Sequence, residues 1–153
     1  MKTFKRVSDA TYKLMLQSMP IATVDLVVVR GQGKNQEFLL GRRANNPYRG
    51  KWFIPGGRIL RGETLDQAVK RQLKQELGIR GGKATFVTHL CLNNPPANVG
   101  ARYYTILHVY KVQVASGTEA KRDSENFELG WFKRIDPTWP SPVKRIVREL
   151  GFK

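Results

Sequence analysis

The segment from Gly57 to Ile79 constrains this chain more than any other, because several local signals in it predict the same helix. Thr64 is suited to the N-cap, where a side-chain oxygen accepts a hydrogen bond from the first turn. Gly78 is suited to end the helix, since glycine readily adopts the left-handed conformation. Apolar residues recur every four positions between them, with an alanine alongside: Leu65, Val69, Leu73, Leu77 and Ala68. The sequence therefore predicts a helix with one buried stripe.

Polar groups around this helix are suited to bind a cation. Gln72 and Glu76 are four residues apart, so they share a face away from the apolar stripe. Gly56 and Gly57 predict a tight loop before the helix, and a free carbonyl there is a suitable ligand for a hard cation. Mg²⁺ prefers oxygen ligands and commonly takes one or two carboxylates plus substrate phosphates. The alternative is an ordinary surface helix whose charges carry no chemistry.

The whole spacing of this segment has a counterpart in a known motif. Two acids, an arginine and three other residues stand at fixed intervals: Gly57, Glu63, Arg71, Glu76, Gly78 and Ile79. They resemble the Nudix box, the metal and diphosphate site of the Nudix hydrolases, except that Gln72 and Gln75 replace two of its glutamates. Losing two negative charges disfavours a cluster of metal ions, because the repulsion between cations is less compensated. We therefore expect one Mg²⁺ ion, which Mn²⁺ can replace, or none if the site has decayed.

The composition favours one domain with an anionic ligand. The chain has 153 residues, of which 41% are hydrophobic, so we expect a single Nudix domain spanning residues 1–153. With 27 Lys and Arg against 12 Asp and Glu, the formal net charge is +15, which attracts nucleotides, nucleic acids or acidic surfaces. The basic residues are dispersed and no aromatic stacking motif accompanies them. A generally basic surface therefore explains the charge better than a nucleic-acid interface does.

The single cysteine and the lack of long apolar runs bear on the compartment. Cys91 cannot form an internal disulfide, which is in keeping with a reducing cytosol. Because Cys91 lies in an apolar run, we expect a buried structural thiol rather than a nucleophile. No signal peptide or membrane span is recognisable, and residues 1–20 are amphipathic. The sequence therefore predicts a cytoplasmic protein without a membrane partner.

The alternation of apolar and polar residues predicts strands on both sides of the central helix. Two further helices are expected near residues 7–18 and over Pro142–Leu150. The predicted strands are Ile21–Val29, Glu37–Gly41, Lys83–Leu92, Ala101–Val114 and Glu128–Lys133, and the first two form a hairpin. Asn93–Gly100 is predicted to be a turn-rich loop. Strands with helices on either side predict an α/β fold, and the resemblance implies the Nudix α/β/α sandwich with a mixed β-sheet.

Motifs outside the box resemble one Nudix subfamily, the GDP-mannose mannosyl hydrolases. These motifs are Pro20–Asp25, Leu39–Arg43, Asn46–Pro47 and Gly50–Arg58, and the subfamily also lacks the same two box glutamates. The resemblance implies hydrolysis of a nucleotide sugar, GDP-mannose or GDP-glucose, to GDP and free sugar. In that reaction water attacks the anomeric carbon rather than phosphorus, and the configuration inverts. The resemblance also implies a homodimer.

The resemblance assigns roles to five residues around the substrate. Arg43 and Arg58 bind diphosphate oxygens, since guanidinium groups are always charged and can bind in a bidentate manner. Tyr104 donates its hydroxyl to the leaving diphosphate, and Asp25 is an acid in the same network. Tyr12 matches an aromatic residue that stacks on guanine. Simpler roles stay open: a loop cation for Arg43, packing for either tyrosine, and a backbone hydrogen bond for Asp25.

The metal ligands implied by the resemblance are the Gly56 carbonyl, Glu76 and Glu125. Asn126 falls where the subfamily has a histidine that acts as the general base. An amide cannot accept a proton at neutral pH, so Asn126 can only position water. Glu125 is then the alternative base, and Glu63 is a poorer candidate.

Two alternatives to a mannosyl hydrolase stay open. One is a Nudix pyrophosphohydrolase that attacks phosphorus in another nucleoside diphosphate derivative. The other is a non-catalytic Nudix domain that binds a nucleotide or RNA. The net charge of +15 and the missing glutamates favour the binding domain, whereas Glu76 and the paired glycines count against it.

Overall fold

The computed structural model describes residues 6–153, which form one seven-stranded sheet and three α-helices. The helices are α1 (Asp9–Ser18), α2 (Leu65–Leu77) and α3 (Ser141–Glu149). The strands are β1 (Ile21–Arg30), β2 (Glu37–Arg43), β3 (Trp52–Phe53), β4 (Gly56–Arg58), β5 (Lys83–Asn94), β6 (Tyr103–Gln113) and β7 (Asn126–Phe132). A 3₁₀ turn at Gly33–Asn35 joins β1 and β2. No helix in the described part of the chain is long and apolar enough to cross a membrane.

The order β3-β2-β1-β6-β5 makes β1 the central strand of the sheet. β1 runs parallel to β6 from Ile21 to Val29. Its other edge is shared, because β2 pairs with β1 only at Val29 and Arg30, whereas β4 pairs with it from Thr23 to Asp25. β2 continues instead against β7 and β3. Along this edge of β1, β2 therefore separates from the strand and β4 takes its place. The chain then continues from β4 into α2.

Both faces of the sheet are covered, because alternate residues of β1 pack into different clusters. Val24, Leu26 and Val28 pack with the apolar stripe of α2. Val27 and Val29 pack on the opposite face with the apolar residues of α3. A central strand buried on both faces has the near-continuous apolar sequence that β1 shows. The predicted α/β/α sandwich with a mixed sheet is confirmed.

The ends of α2 form as the sequence predicts. The Thr64 side chain accepts from the Gln67 amide, and the Gln67 side chain accepts from the Thr64 amide, which makes a reciprocal capping box. Gly78 follows the last helical residue with a φ of 63°, in the left-handed region. The apolar stripe is buried at Ala68, Val69, Leu73 and Leu77 and partly buried at Leu65. The predicted helix is therefore confirmed.

The glycine pair before α2 forms a strand, not the predicted loop. Gly56 and Gly57 belong to β4 and pair with Asp25 and Val24 of β1. A Cβ atom on Gly56 would lie 2.5 Å from the Val24 carbonyl oxygen, a distance that a side chain cannot occupy. The glycines therefore allow two backbones to approach closely beside the buried Asp25.

Two features of β5 also differ from the prediction. Asn93 and Asn94 continue the strand instead of beginning the loop. The expectation of a buried Cys91 is wrong, because this side chain is exposed. β5 is the last strand in the order of the sheet, and its side chains alternate, so Leu90 and Leu92 pack into the core while Cys91 faces away.

Candidate active site

A pocket of about 630 Å³ lies where β1, β4 and α2 meet the ends of β5 and β6. Most residues proposed from the sequence line this pocket: Tyr12, Asp25, Arg43, Gly56, Arg58, Glu76 and Glu125. They come from six separate parts of the chain, so the fold brings them together. Tyr104 and Asn126 do not line it.

An ion pair fixes the turn between β4 and α2. Arg71 Nε lies 2.5 Å from Glu63 Oε1, and Arg71 Nη2 donates to Glu63 Oε2 at 2.9 Å. Arg71 Nη2 also donates to the Arg58 carbonyl at 2.7 Å, and the Leu60 amide donates to Glu63 Oε2 at 2.8 Å. The two side chains are only 16% and 10% exposed, which favours a strong bidentate pair. Glu63 therefore stabilises the backbone that carries Arg58, and it is poorly placed to act as a base.

Glu76 lies at the other end of the same segment and is only 6% exposed. Asn126 Nδ2 donates to Glu76 Oε1 at 3.2 Å. Burial raises the pKa of Glu76 to about 8; the hydrogen bond from Asn126 opposes this shift, and the acids Asp123 and Glu125 add to it. Glu76 therefore lies where a bound cation would stabilise its charged form.

The loop before β7 adds two acids to the pocket. The Glu125 amide donates to Asp123 Oδ1 at 2.9 Å, and Glu125 Oε2 accepts from Asn45 Nδ2 at 3.1 Å. Burial raises the pKa of Asp123, and the nearby Glu125 charge contributes in the same direction. This loop places Glu125 beside Glu76, as the resemblance implies, and adds Asp123, which sequence reasoning missed.

The candidate metal ligands are all oxygen atoms, from the Gly56 carbonyl, Glu76 and Glu125. Within residues 6–153, no three His, Cys, Asp or Glu side chains form a group that encloses a metal. Oxygen donors without a closed protein cage suit a hard cation that keeps waters and substrate oxygens, and they do not suit a structural zinc ion. The donor set therefore fits Mg²⁺ or Mn²⁺.

The two glutamines that replace box glutamates have different environments. Gln72 packs directly against β4, since a Cβ atom on Gly57 would lie 2.0 Å from Gln72 Nε2. Its side-chain oxygen accepts from Arg71 Nη1 at 2.9 Å. Gln75 is exposed and lines the pocket. Gln72 thus belongs to the packing that holds β4 on α2, and neither amide contributes charge to the pocket.

Asp25 is a second buried acid in the pocket, only 7% exposed on β1. Thr23 Oγ1 donates to Asp25 Oδ2 at 2.5 Å. Burial raises the pKa of Asp25 to about 7, although the Thr23 hydrogen bond and the charge of Arg43 lower it. Asp25 can therefore hold or release a proton near neutral pH.

Two arginines supply positive charge from different elements. Arg43, at the end of β2, donates from Nε to the Pro47 carbonyl at 2.7 Å. Arg58 of β4 places its guanidinium 4.2 Å from the ring centre of Tyr12, which is a cation–π contact. The Tyr12 ring therefore supports Arg58 in this structure, in addition to lining the pocket.

Tyr104 is not brought into the pocket, in contrast to its predicted role. It is 45% exposed, whereas its neighbour Tyr103 lines the pocket. Successive residues of a strand face opposite sides, so a placement that is wrong by one residue selects the wrong tyrosine. Thr105 and Leu107 follow Tyr103 on the pocket side at intervals of two. That alternation is the signal that identifies Tyr103.

Asn126 is also outside the pocket lining, although it acts on the site indirectly. It is only 4% exposed and packs over Gly41, where a Cβ atom would lie 2.2 Å from Asn126 Oδ1. A bulge between Arg42 and Arg43 leaves Phe127 unpaired in the β2–β7 register. Asn126 therefore positions Glu76, and the expectation that it positions water stays a prediction.

Comparisons with known proteins agree on the family of this fold. Residues 19–150 match the family model described as the NUDIX domain. The chain is 38% identical over 132 residues to the low-salt glycan biosynthesis protein Agl8 of Haloferax volcanii, covering 84% of this chain and 76% of that protein. It is 31% identical over 148 residues to an ADP-ribose pyrophosphatase of Methanocaldococcus jannaschii, covering 96% and 83%.

A solved structure shows the same fold at low sequence identity. The MutT NUDIX hydrolase from Burkholderia pseudomallei superposes with a TM-score of 0.70 at 20% identity. The match covers 87% of this chain and 99% of that chain. The arrangement of sheet and helices is therefore shared over nearly the whole described structure.

Proposed function

This chain belongs to the Nudix family, and we propose that it is a Mg²⁺-dependent hydrolase of a nucleotide sugar of the GDP-mannose type. Nudix hydrolases act on nucleoside diphosphate derivatives. The observation that carries the proposal is that Arg43 lines the same pocket as the two buried acids, Asp25 and Glu76. An arginine near two acids suits an anionic diphosphate that arrives with a cation. The similarity to a glycan biosynthesis protein supports a sugar as the other part of the substrate.

One divalent cation completes this site in the proposal. The Gly56 carbonyl, Glu76 and Glu125 would hold it, and Asn126 would keep the Glu76 carboxylate in place. When bound, the ion supplies positive charge to the diphosphate. A single ion is proposed because Gln72 and Gln75 replace two of the box glutamates and so remove two negative charges.

The protein's own groups would stabilise the leaving diphosphate. Arg43 and Arg58 line the pocket from two sides and can bind phosphate oxygens. Asp25, with its pKa near 7, can hold a proton close to the leaving oxygen. Tyr103 takes the hydroxyl-donor role that the resemblance gave to Tyr104, since Tyr103 lines the pocket.

The proposed reaction forms a bond between water oxygen and the anomeric carbon of the sugar. The bond from that carbon to the diphosphate oxygen breaks, and its electron pair leaves with the nucleoside diphosphate. The water proton passes to a carboxylate. Asp123 is the proposed base, because it lines the pocket and is not one of the proposed metal ligands, whereas Arg71 holds both oxygens of Glu63 and Asn126 has no basic atom.

The experiment that tests this function is a screen of nucleotide sugars with Mg²⁺ or Mn²⁺ in ¹⁸O-water. The proposal expects metal-dependent release of free sugar, with the label in the sugar and none in the nucleotide. Label in a phosphate product would defeat attack at carbon. Absence of turnover across the panel would defeat the proposal and leave a pyrophosphohydrolase of another substrate or a nucleotide-binding domain.

A second candidate is a pyrophosphohydrolase that attacks phosphorus in another nucleoside diphosphate derivative. The observation that favours it is the 31% identity, over 96% of the chain, to an ADP-ribose pyrophosphatase. The same carboxylates and arginines can bind the diphosphate of such a substrate. This candidate expects a sugar phosphate, rather than a free sugar, among the products.

A further inference from the structure

Asn94 is a polar side chain of the pocket wall that is only 4% exposed. Its Nδ2 donates to Thr105 Oγ1 at 2.9 Å, to the Tyr103 carbonyl at 3.3 Å and to the Leu92 carbonyl at 3.4 Å. These contacts fix the orientation of the amide. A flipped amide would place its oxygen against two carbonyl oxygens, which cannot donate.

The amide oxygen of Asn94 has no donor in the part of the chain that the structure describes. In the same residues, no buried side-chain nitrogen or oxygen atom lacks a hydrogen-bond partner. An unpartnered oxygen must therefore reach accessible space, and the space that Asn94 borders is the pocket. The fold thus presents a nearly buried, oriented acceptor to whatever fills this part of the pocket.

The position of Asn94 separates this acceptor from the proposed metal ligands. Asn94 pairs with Tyr103, and Thr105 pairs with Ile21 at the start of β1. The proposed ligand Gly56 pairs instead with Asp25, further along β1. The wall around Asn94 is therefore suited to a group at one end of the substrate rather than to its diphosphate.

We infer that Asn94 is a specificity-determining residue whose amide oxygen accepts a hydrogen bond from the substrate. This inference rests on the proposed function, since a nucleotide sugar offers donors from two sources, the sugar hydroxyls and the N–H groups of the base. A buried acceptor disfavours a ligand that lacks the donor, because binding then leaves the acceptor unpaired.

The test compares kcat/KM for GDP-mannose with analogues that each lack one donor. In the first set of analogues, one sugar hydroxyl at a time is missing. In the second, hypoxanthine replaces guanine, so the exocyclic amine of the base is missing. Wild type should discriminate by about tenfold or more against one analogue, and that analogue identifies the source of the donor. In Asn94→Leu the discrimination should fall to near unity. Asn93→Leu is the matched control, because Asn93 is exposed and does not line the pocket; it should keep the wild-type ratio.

A structural role predicts a different pattern. If Asn94 only joins β5 to β6, Asn94→Leu should slow the substrate and every analogue by the same factor, and this result would overturn the inference. Asn94→Ala is a second variant with the same expectations if Asn94→Leu does not fold. Should wild type turn over no nucleotide sugar, the proposed function fails by itself. In that case the affinities for GDP, IDP and GDP-mannose are measured by calorimetry in wild type and in Asn94→Leu. If the ratios between these affinities are the same in the two proteins, the inference about Asn94 is contradicted.

Discussion

Glu63 and Glu76 belong to the same segment, and the fold gives them opposite environments. Glu63 meets Arg71 in a bidentate ion pair, so its charge is compensated within the protein. Glu76 is more deeply buried but accepts from the neutral amide of Asn126, and two other acids lie near it. The first acid stabilises the fold. The second destabilises the fold at neutral pH, and in the proposed function a bound cation offsets this effect.

The largest expected effect follows from removing the uncompensated acid. Glu76→Gln should lower kcat by on the order of 10³-fold, because it removes a charged ligand from the site. The free energy of unfolding should be unchanged or higher, since a buried charge is lost. Steady-state kinetics and urea unfolding check both expectations. Glu149→Gln, the same change at an exposed position of α3, should leave both values as in wild type. Near-normal turnover in Glu76→Gln would remove it from the site.

Asp25 extends the comparison to a second buried acid. Its pKa of about 7 in the folded protein exceeds the ordinary value of 3.8, so the folded state binds the proton more tightly than the unfolded state. Stability should therefore fall as pH rises from about 4 to 7 and stay reduced above that range. Asp25→Asn should raise the free energy of unfolding at pH 8 by up to about 4 kcal/mol and change it little at pH 4. Urea titrations of metal-free protein test this, and an unchanged pH slope would contradict it.

The compensated acid should respond in the opposite direction. Glu63→Gln should lower the free energy of unfolding by about 3 kcal/mol, because Arg71 is left largely buried without a counter-charge. Asp66→Asn is the control, since Asp66 pairs with Lys70 on the surface of the same helix. That change should cost less than about 1 kcal/mol. Equal losses in the two variants would show that the buried pair has no special role.

A smaller effect is expected at the arginine that the ion pair positions. Arg58→Gln should lower kcat by about 10²-fold, the scale of losing one electrostatic donor. Tyr12→Leu keeps the charge but removes the supporting ring, so its loss in kcat/KM should be about fivefold. Kinetics on both variants separate the two contributions. A change confined to KM in Arg58→Gln would mean that Arg58 binds the ground state without stabilising the leaving group.

Local signals explain why sequence reasoning predicted α2 and most of the residues that line the candidate pocket. The cap at Thr64, the stop at Gly78 and the apolar period between them all act within one helix, so they can be read directly. The spacing from Gly57 to Glu76 likewise fixes which residues face the pocket. Asp25 was identifiable because an acid inside a buried strand needs a specific environment.

The misplaced residues depend on register, which the sequence does not determine by itself. Tyr103 and Tyr104 are identical and adjacent, and only the pairing of β6 with β1 decides which one faces the pocket. Asn126 turns inward beside a bulge whose position depends on the long-range pairing of β2 and β7. Cys91 is exposed because β5 is the last strand in the order of the sheet.

The most direct test asks whether Glu63 stabilises the fold while Glu76 binds a cation. Mn²⁺ is titrated by calorimetry into wild type, Glu63→Gln and Glu76→Gln. Wild type should bind one ion per chain and release protons at pH 7, because the Glu76 carboxyl must ionise to bind the ion. Glu63→Gln, studied where it remains folded, should bind with wild-type affinity. Glu76→Gln should bind at least about tenfold more weakly. Equal affinity in wild type and Glu76→Gln would contradict the account.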